Sequence, residues 1–169
     1  AYTPDRQFVR THCILTDLTE KMRTEAALRE SDLRFQQAIL EAPIPIMIHD
    51  EFGRTLQISK GWTAFSGYTL EDIPTLEDWT QKAYGNRSGF SKDYIEGLFS
   101  IQQTVANGEW NVKTKQGQER VWDFFTTPLG ESQSKNRVLL SIAVDITERK
   151  EFEGSLRTSE KQYRQLFEE

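Results

Sequence analysis

Apolar and polar residues alternate in five short segments of the chain, and this pattern predicts β-strands, whose successive side chains point to opposite faces of a sheet. The predicted strands cover residues 44–50, 55–59, 109–115, 119–127 and 137–144. Between the second and third strands the spacing becomes helical, in short pieces over residues 60–83 and in a longer helix over residues 91–106 that Asn107-Gly108 ends. This order predicts an α+β domain, with one five-stranded antiparallel sheet and short helices on one face.

The aromatic residues of these elements form the expected core, and two interpretations of that core remain open. Either the side chains fill the space between sheet and helices, or they line a small-molecule pocket, which would be largely apolar with a few polar groups. Thr126 and Ser141 would supply the polar groups. The candidate pocket residues are Ile46, Ile48, Trp62, Phe65, Trp79, Trp122, Phe124, Thr126 and Ser141.

A segment near the start of the chain is repeated near its end. Residues 17–39 align without a gap with residues 145–167, and eight of the 23 aligned positions are identical. Each copy begins with an Asp three residues before a Glu, as Asp145 stands before Glu148, and such an Asp can cap a helix by accepting hydrogen bonds from its first turn. Both copies therefore predict a helix that starts directly after a strand, and one complete module lies between them.

Both repeated helices carry an apolar stripe with alternating spacings of four and three residues, which is the spacing of a coiled-coil seam. The seam is weak, because Ser31 and Ser159 stand at its centre. The helices either pack on their own domain or form a parallel dimeric coil, which the shared register favours. The candidate seam residues are Leu28, Phe35, Phe152, Leu156, Tyr163 and Leu166.

The composition narrows the class of protein. The 169 residues carry 26 acidic and 21 basic side chains, and the net charge of -5 argues against a surface that binds nucleic acid or an anionic membrane. No apolar run approaches the roughly 20 residues of a membrane span. Because Cys13 is the single cysteine, we expect no disulfide within the chain, no cysteine-based metal site and a cytoplasmic location.

Motifs typical of catalysis are missing from the sequence, which contains no phosphate-binding loop, no HExxH and no GxSxG. The carboxylates are scattered over predicted helices and turns, as on a solvated surface. Neither His12 nor His49 lies in a helix of the kind that accepts a phosphoryl group. We therefore expect no enzyme activity in this segment.

The order of elements and the short motifs within it resemble the PAS/PAC sensory-box family over residues 33–150. The motifs are DEFG at 50–53, GYTLEDI at 67–73, NGEW at 107–110, KQG at 115–117, TPL at 127–129 and DITERK at 145–150. The sequence departs from the family at Ser59, where an asparagine is usual. The resemblance implies a PAS fold flanked by N- and C-terminal signalling helices.

The resemblance also bears on cofactors. A flavin photoreceptor of the LOV kind needs a reactive cysteine after the second strand, and residues 61–67 contain none. A haem-binding member usually supplies a histidine from the long helix, and residues 91–108 contain none, whereas His49 lies on a strand. We predict no flavin, haem or metal, and the possibility of another small ligand stays open.

The function implied by the resemblance is that of a cytoplasmic sensor and signal relay in a two-component protein, most like a sensor histidine kinase in a phosphorelay. A small ligand or the state of a partner would change the domain, and Asp145, Thr147 and Glu148 would pass the change to the C-terminal helix. The expected partners are a second copy in a parallel homodimer and the neighbouring PAS and kinase domains of the same chain. The alternative is a ligand-free dimerisation and spacer module.

The implied domain boundaries follow from the repeat. The last strand of a preceding PAS module would occupy residues 1–16, a connecting helix 17–42, the PAS/PAC domain 43–146, and an exit helix toward a following module 147–169.

Overall fold

The computed structural model describes residues 18–85, 97, 100–131 and 136–167. The chain divides after Gln36 into two compact units, and the second of these holds everything from Gln37 onward. The strand predicted at residues 1–16, together with His12 and Cys13, lies outside the described residues.

The described elements confirm the predicted α+β architecture. In chain order they are α1 (Thr19–Leu40), β1 (Ile46–Asp50), β2 (Thr55–Ile58), α2 (Lys60–Ser66), α3 (Leu76–Tyr84), β3 (Val105–Lys113), β4 (Glu119–Glu131), β5 (Arg137–Asp145) and α4 (Thr147–Phe167). The strands form one antiparallel sheet in the order β2-β1-β5-β4-β3. The first and last parts of the domain therefore meet at the pairing of β1 with β5.

Local sequence signals define the two short helices. The Ser59 side chain caps α2 by accepting a hydrogen bond from the Trp62 N–H at 3.0 Å, so the serine fills the position where the family usually has asparagine. Gly67, with φ of 77°, ends α2 in the left-handed conformation that glycine adopts without strain. Thr75 caps α3 in the same way as Ser59 caps α2. Both helices are thus kept short.

The core lies between one face of the sheet and the helices α2 and α3. Alternate residues of β4 point into it, and Trp122 and Phe124 are buried as the alternation predicted. Met47 of β1 and Ala143 of β5 extend the same face. The helices contribute Trp62 and Trp79, among others, so large aromatic side chains dominate the core.

Two expectations about strands need correction. The end of the predicted helix over residues 91–106 is wrong, because Val105 and Ala106 already pair with Thr126 and Phe125 of β4. Gly108, expected to end that helix, instead lies at an irregularity of β3 with φ of 86°. Gly97 and Ser100 are helical, and most of the predicted helix lies outside the described residues.

The second correction concerns β1, all five residues of which are buried. Met47 belongs to the core cluster, so Ile46 and Ile48 lie on the opposite face of the sheet. Alternation divides the residues of a strand between its two faces. When both faces are buried, hydrophobicity does not show which face lies toward the helices.

Candidate functional site

A small cavity lies between the sheet and the helices, close to the predicted pocket. Helix residues Trp62 and Trp79 line it, and the sheet contributes Met47, Phe124, Thr126 and Ser141. Its volume of about 30 Å³ leaves room for two or three water molecules at most, because one water needs roughly 10–15 Å³. None of the described lining residues is charged, so an ion would find no countercharge there.

A chain of polar side chains crosses four strands beside this cavity. The Thr126 hydroxyl donates to Oδ1 of Asn107 at 2.8 Å and lies 3.2 Å from the Ser141 hydroxyl, which in turn lies 3.1 Å from Nε2 of His49. Because Oδ1 of Asn107 only accepts, Ser141 must donate to Thr126, and the N–H at Nε2 of His49 must donate to Ser141. The chain is therefore ordered from His49 on β1 to Asn107 on β3.

His49 is packed in the core. Its side chain is fully buried, and burial lowers its pKa from 6.5 to about 4, although the backbone and carboxylate of Asp50 act in the opposite direction. At neutral pH the imidazole is uncharged, which suits a core without countercharge.

Three tryptophans form a cluster beside the cavity, and two of them, Trp62 and Trp79, line it. The ring centroid of Trp62 lies 4.7 Å from that of Trp79 and 5.5 Å from that of Trp122, in edge-on contacts, while Trp79 and Trp122 stack at 5.8 Å. No described residue accepts a hydrogen bond from the indole N–H of Trp62 or Trp122. A buried unpaired donor costs about 1–3 kcal/mol, which a water or a small acceptor in the core would recover.

The structure separates the predicted pocket residues into three groups. Trp62, Trp79, Phe124, Thr126 and Ser141 line the cavity, and Trp122 lies in the same aromatic cluster. Phe65 instead packs at the edge of the core, where its ring lies 5.8 Å from the guanidinium carbon of Arg120. Ile46 and Ile48 do not line the cavity, since they occupy the other face of β1.

Sequence reasoning missed several cavity residues. Met47 lines the cavity and His49 shares its face of β1, but nothing in the pattern identified that face as the cavity side. Asn107 was interpreted as a helix end, although it lies on β3 and lines the cavity. Tyr84 and Trp110 also line it, with their ring centroids 5.8 Å apart.

The predicted transmission segment lies where β5 passes directly into α4. Oδ1 of Asp145 accepts hydrogen bonds from the Thr147 N–H at 3.0 Å and from the Thr147 hydroxyl at 2.5 Å. The first helical hydrogen bond runs from Lys150 to the Ile146 carbonyl, so Asp145 supports the first turn from one residue before the helix cap. Glu148 is exposed, and its side chain makes no hydrogen bond to Asp145.

This segment is also attached to β4. Nη1 of Arg120 donates to Oδ2 of Asp145 at 2.6 Å, the Val121 N–H donates to the Thr147 hydroxyl at 3.0 Å, and the Ile146 N–H donates to the Val121 carbonyl at 2.8 Å. Burial raises the pKa of Asp145, but the hydrogen bonds from Thr147 and Arg120 outweigh it and hold the pKa below its usual value. Asp145 is therefore a carboxylate at neutral pH.

A second set of charges joins α4 to the edge strand β3. Nζ of Lys150 lies 2.5 Å from Oε2 of Glu109, and Nη2 of Arg149 lies 3.3 Å from Oε1 of the same residue. These pairs are partly exposed, and each contributes less than about 1 kcal/mol. They add a contact between the first turn of α4 and β3 to the one that Arg120 makes from β4.

Beyond its first turn, α4 presents its apolar stripe to solvent. Phe152, Leu156 and Tyr163 are all more than half exposed, with Phe152 at 72%. On α1, Leu28 and Phe35 are likewise more than half exposed, whereas the side chain of Leu166 lies outside what the structure describes. Exposed apolar stripes of this kind are typical of a surface that another chain covers.

Among the described residues, no cluster of three or more His, Cys, Asp or Glu side chains is arranged to hold a metal ion. No helix there is both long and apolar enough to cross a bilayer.

Comparison with known proteins identifies the fold. No protein-family model and no curated protein matches the sequence. The PAS domain of an HTR-like protein from Haloarcula marismortui is similar with a TM-score of 0.57 and 17% identity, covering 74% of this chain and 99% of that one. A domain of a sensory box sensor histidine kinase/response regulator from Geobacter sulfurreducens gives a TM-score of 0.55 and 20% identity, over 70% of this chain and 96% of that one.

A LOV protein from Rhodobacter sphaeroides is similar at a TM-score of 0.54 with 10% identity, over 69% of this chain and 68% of that one. Identities this low concern the fold rather than the ligand or the activity. The five-stranded antiparallel sheet with its helices matches the fold of these structures. The chain has the fold of a PAS sensory domain.

Proposed function

We propose that this chain is a cytoplasmic sensory and signal-relay domain of a two-component protein, which passes a change in its aromatic core to the helix α4. The observation that carries the proposal is the junction of Asp145, Ile146 and Thr147, where the sheet becomes helix without a linker. Because Arg120 and Val121 attach this junction to β4, a displacement of β4 moves the base of α4.

A short route joins the cavity to this junction. Trp62 lines the cavity and contacts Trp122, and Trp122 stands directly opposite Asp145 in the pairing of β4 with β5. A rearrangement of the tryptophans therefore acts on the strand position from which α4 begins. A shift between two states that differ by a few kcal/mol is enough for such a relay.

The relay acts, in this proposal, as a parallel homodimer. The exposed stripes of Leu28 and Phe35 on α1, and of Phe152, Leu156 and Tyr163 on α4, support it, because isolated helices of this length gain most of their stability from packing. We include Leu166 in the seam on the basis of the sequence register. The alternative, in which α4 packs on its own domain, is not supported by side chains that are more than half exposed.

The proposal places the domain in a chain of similar modules that ends in a histidine kinase. Helix α1 begins at Thr19 and α4 at Thr147, 128 residues later, which is the offset of the sequence repeat. Their first turns also correspond. The Met22 N–H donates a hydrogen bond to the Leu18 carbonyl in α1, and the Lys150 N–H donates one to the Ile146 carbonyl in α4. A kinase output is supported by the similar domain from Geobacter sulfurreducens, which belongs to a sensor histidine kinase/response regulator.

The second candidate function is a dimerisation and spacing module without a ligand. The cavity volume of about 30 Å³ favours it, because that space admits only water-sized molecules. Under this alternative, the domain relays motion from neighbouring modules and senses nothing itself. In either case the proposed role needs no catalytic step, flavin or haem.

The relay is tested by hydrogen exchange at the junction. The change Ser141→Ala interrupts the polar chain in the core, and Ser100→Ala is a matched control on an exposed residue. We expect Ser141→Ala to change the exchange rate of the Thr147 amide at least threefold, while Ser100→Ala leaves it unchanged. If Ser141→Ala alters the exchange rates of the amides around residue 141 but not that of the Thr147 amide, the relay is contradicted.

The two candidate functions are separated by native mass spectrometry of the purified protein. A bound molecule supports the sensor if its removal changes the hydrogen exchange rate of the Thr147 amide. Protein that is free of ligand but retains the coupling of Ser141 to Thr147 supports the spacer that only relays motion.

A further inference from the structure

The connection between α1 and β1 is stiff and closely held. It contains Pro43 and Pro45, whose rings fix the backbone φ angle. Pro45 is fully buried, and its carbonyl accepts a hydrogen bond from the Ala143 N–H of β5 at 2.9 Å. The last turn of α1 therefore enters the domain through a segment that has little freedom to bend.

Three consecutive residues at the start of α2 hold this connection, and Ser59 makes the central contacts. Its hydroxyl donates to the Ile44 carbonyl at 2.7 Å and accepts hydrogen bonds from the Ile46 N–H at 2.9 Å and from the Trp62 N–H at 3.0 Å. One buried oxygen thus joins the connecting segment, β1 and the first turn of α2.

Gly61 adds a contact that only glycine allows. Its N–H donates to the Ala42 carbonyl at 3.0 Å, and a Cβ at this position would lie 2.5 Å from the carbonyl carbon and oxygen of Ile44. Real Cβ atoms do not approach backbone atoms so closely, so any larger residue must separate α2 from the connection.

Lys60 completes the contact at the surface. Its Nζ lies 2.6 Å from Oε2 of Glu41, and Oε1 of Glu41 accepts a hydrogen bond from Gln37 in the last turn of α1 at 3.1 Å. This ion pair therefore attaches the end of α1 to Lys60, one of the three residues that hold the connecting segment.

The next residue of α2 after these three is Trp62, the central ring of the tryptophan cluster. Trp62 lies in the first turn of α2, next to the residues that contact the end of α1, so a movement of that end acts on its ring. The ring contacts Trp122, which pairs with Asp145 across β4 and β5. Contacts of packed side chains and backbone thus continue from the end of α1 to the start of α4.

We propose that Ser59, Lys60 and Gly61 form an input joint, through which displacement of α1 acts on Trp62 and hence on the junction at Asp145. The inference rests on the proposed relay function and adds where its mechanical input arrives. The three residues are positioning residues, and the input they receive is motion of the helix that precedes the domain rather than a ligand.

The test uses charge reversal on the exposed pair, which leaves the core untouched. Lys60→Glu places a second carboxylate beside that of Glu41, so the two repel. The double variant Glu41→Lys/Lys60→Glu restores an ion pair in which the two charges have exchanged positions. We expect the single change to shift the NMR signals of the Trp122 indole N–H and the Thr147 amide, and the double change to return both at least halfway. Lys113→Glu, on β3, is the control for the same change in net charge.

A second variant acts on the backbone contact. We expect Gly61→Ala to speed exchange of the Thr147 amide at least tenfold relative to the amide of buried Val112. Gly97→Ala is the matched control, because Gly97 is exposed, lies outside α4 and has room for a Cβ, which would meet no atom within 4 Å. If Gly61→Ala speeds hydrogen exchange of the Thr147 and Val112 amides equally, the change destabilises the whole domain. The charge reversal at Lys60 then decides whether the input joint exists.

The outcomes separate this inference from the proposed function. Shifts confined to residues 37–46 and 58–62 in Lys60→Glu, with Trp122 and Thr147 unmoved, overturn the input joint. If Ser141→Ala still alters Thr147 in that case, the relay stands without the joint. If neither change reaches Thr147, both proposals fail.

Discussion

Arg120 and Asp145 form a hydrogen-bonded ion pair between β4 and the end of β5, with Nη1 of Arg120 2.6 Å from Oδ2 of Asp145. The other carboxylate oxygen accepts both hydrogen bonds from Thr147, so one residue joins the sheet to the first turn of α4. Replacing Asp145 by Ala should cost about 1–3 kcal/mol of unfolding free energy, as loss of hydrogen bonds to a charged group does.

Chemical denaturation measures this loss, and Asp145→Asn is the matched variant. The amide keeps an acceptor for Thr147 but removes the charge that faces Arg120, so it should recover part of the stability. If Asp145→Ala is as stable as the wild type, with unchanged exchange in α4, the carboxylate does not hold the helix.

Phe124 should be among the residues that stabilise the core most, since it is buried and its ring contacts those of Trp62 and Trp122. Phe124→Ala should lower the unfolding free energy by about 3–5 kcal/mol, as large-to-small changes in a core do. Phe52→Ala is the control, because Phe52 is 69% exposed and its loss should cost at most about 0.5 kcal/mol. Equal losses for the two variants would contradict this assignment of the core.

The buried His49 predicts a specific dependence of stability on pH. Its folded pKa of about 4 lies below the ordinary value of 6.5, so between these values the unfolded chain binds the proton more readily. The stability is therefore fully present above pH 6.5 and decreases as the pH falls toward 4, by on the order of 3 kcal/mol for this group.

Thermal unfolding at several pH values checks this prediction, with His49→Gln as the comparison. Glutamine keeps a donor for Ser141 and does not titrate, so the slope between pH 6.5 and 4 should flatten. An identical slope in both proteins would mean that other groups cause the pH dependence.

Dimerisation through the flanking helices predicts that Leu156→Glu weakens self-association, because the change would bury a charge in the seam. Thr158→Glu, exposed on α4 but off the stripe, is the control for added charge. Sedimentation over a range of concentrations should show a dimer for the wild type and for Thr158→Glu, with Leu156→Glu shifted toward monomer. A wild type that stays monomeric at millimolar concentration would rule out this interface.

The absence of cysteine from residues 61–67 predicts a protein without visible colour, despite the likeness of its fold to a LOV protein. An absorption spectrum of the freshly purified protein tests this directly. A flavin or haem band would show that the core accepts a cofactor that the sequence does not indicate.

Much of the fold was predictable because its signals are local. Alternation along β4 assigned Trp122 and Phe124 to the buried face, and the helical spacing over residues 60–83 indicated the short helices α2 and α3. The start of β3 was not predictable in this way. Val105 and Ala106 fit a helical spacing as well as a strand, and pairing with β4, about twenty residues later, decides between them.

The candidate site was harder to predict, since its properties depend on long-range contacts. The partner of Asp145 is Arg120, 25 residues earlier, and no spacing rule connects the two. The aromatic residues indicated a core, but their number does not determine whether the rings enclose a ligand-sized space. The volume depends on how Trp62, Trp79 and Trp122 pack against one another.

The contact of these three indoles also gives the domain an optical property. Chromophores that touch share their excited states, so their near-ultraviolet circular dichroism depends on the angles between the rings. Trp79 and Trp122 stack at 24°, whereas Trp62 stands at 87° to Trp122. A rotation of Trp62 therefore changes the sign or size of this signal, and light can report the state of the core in protein that carries no label.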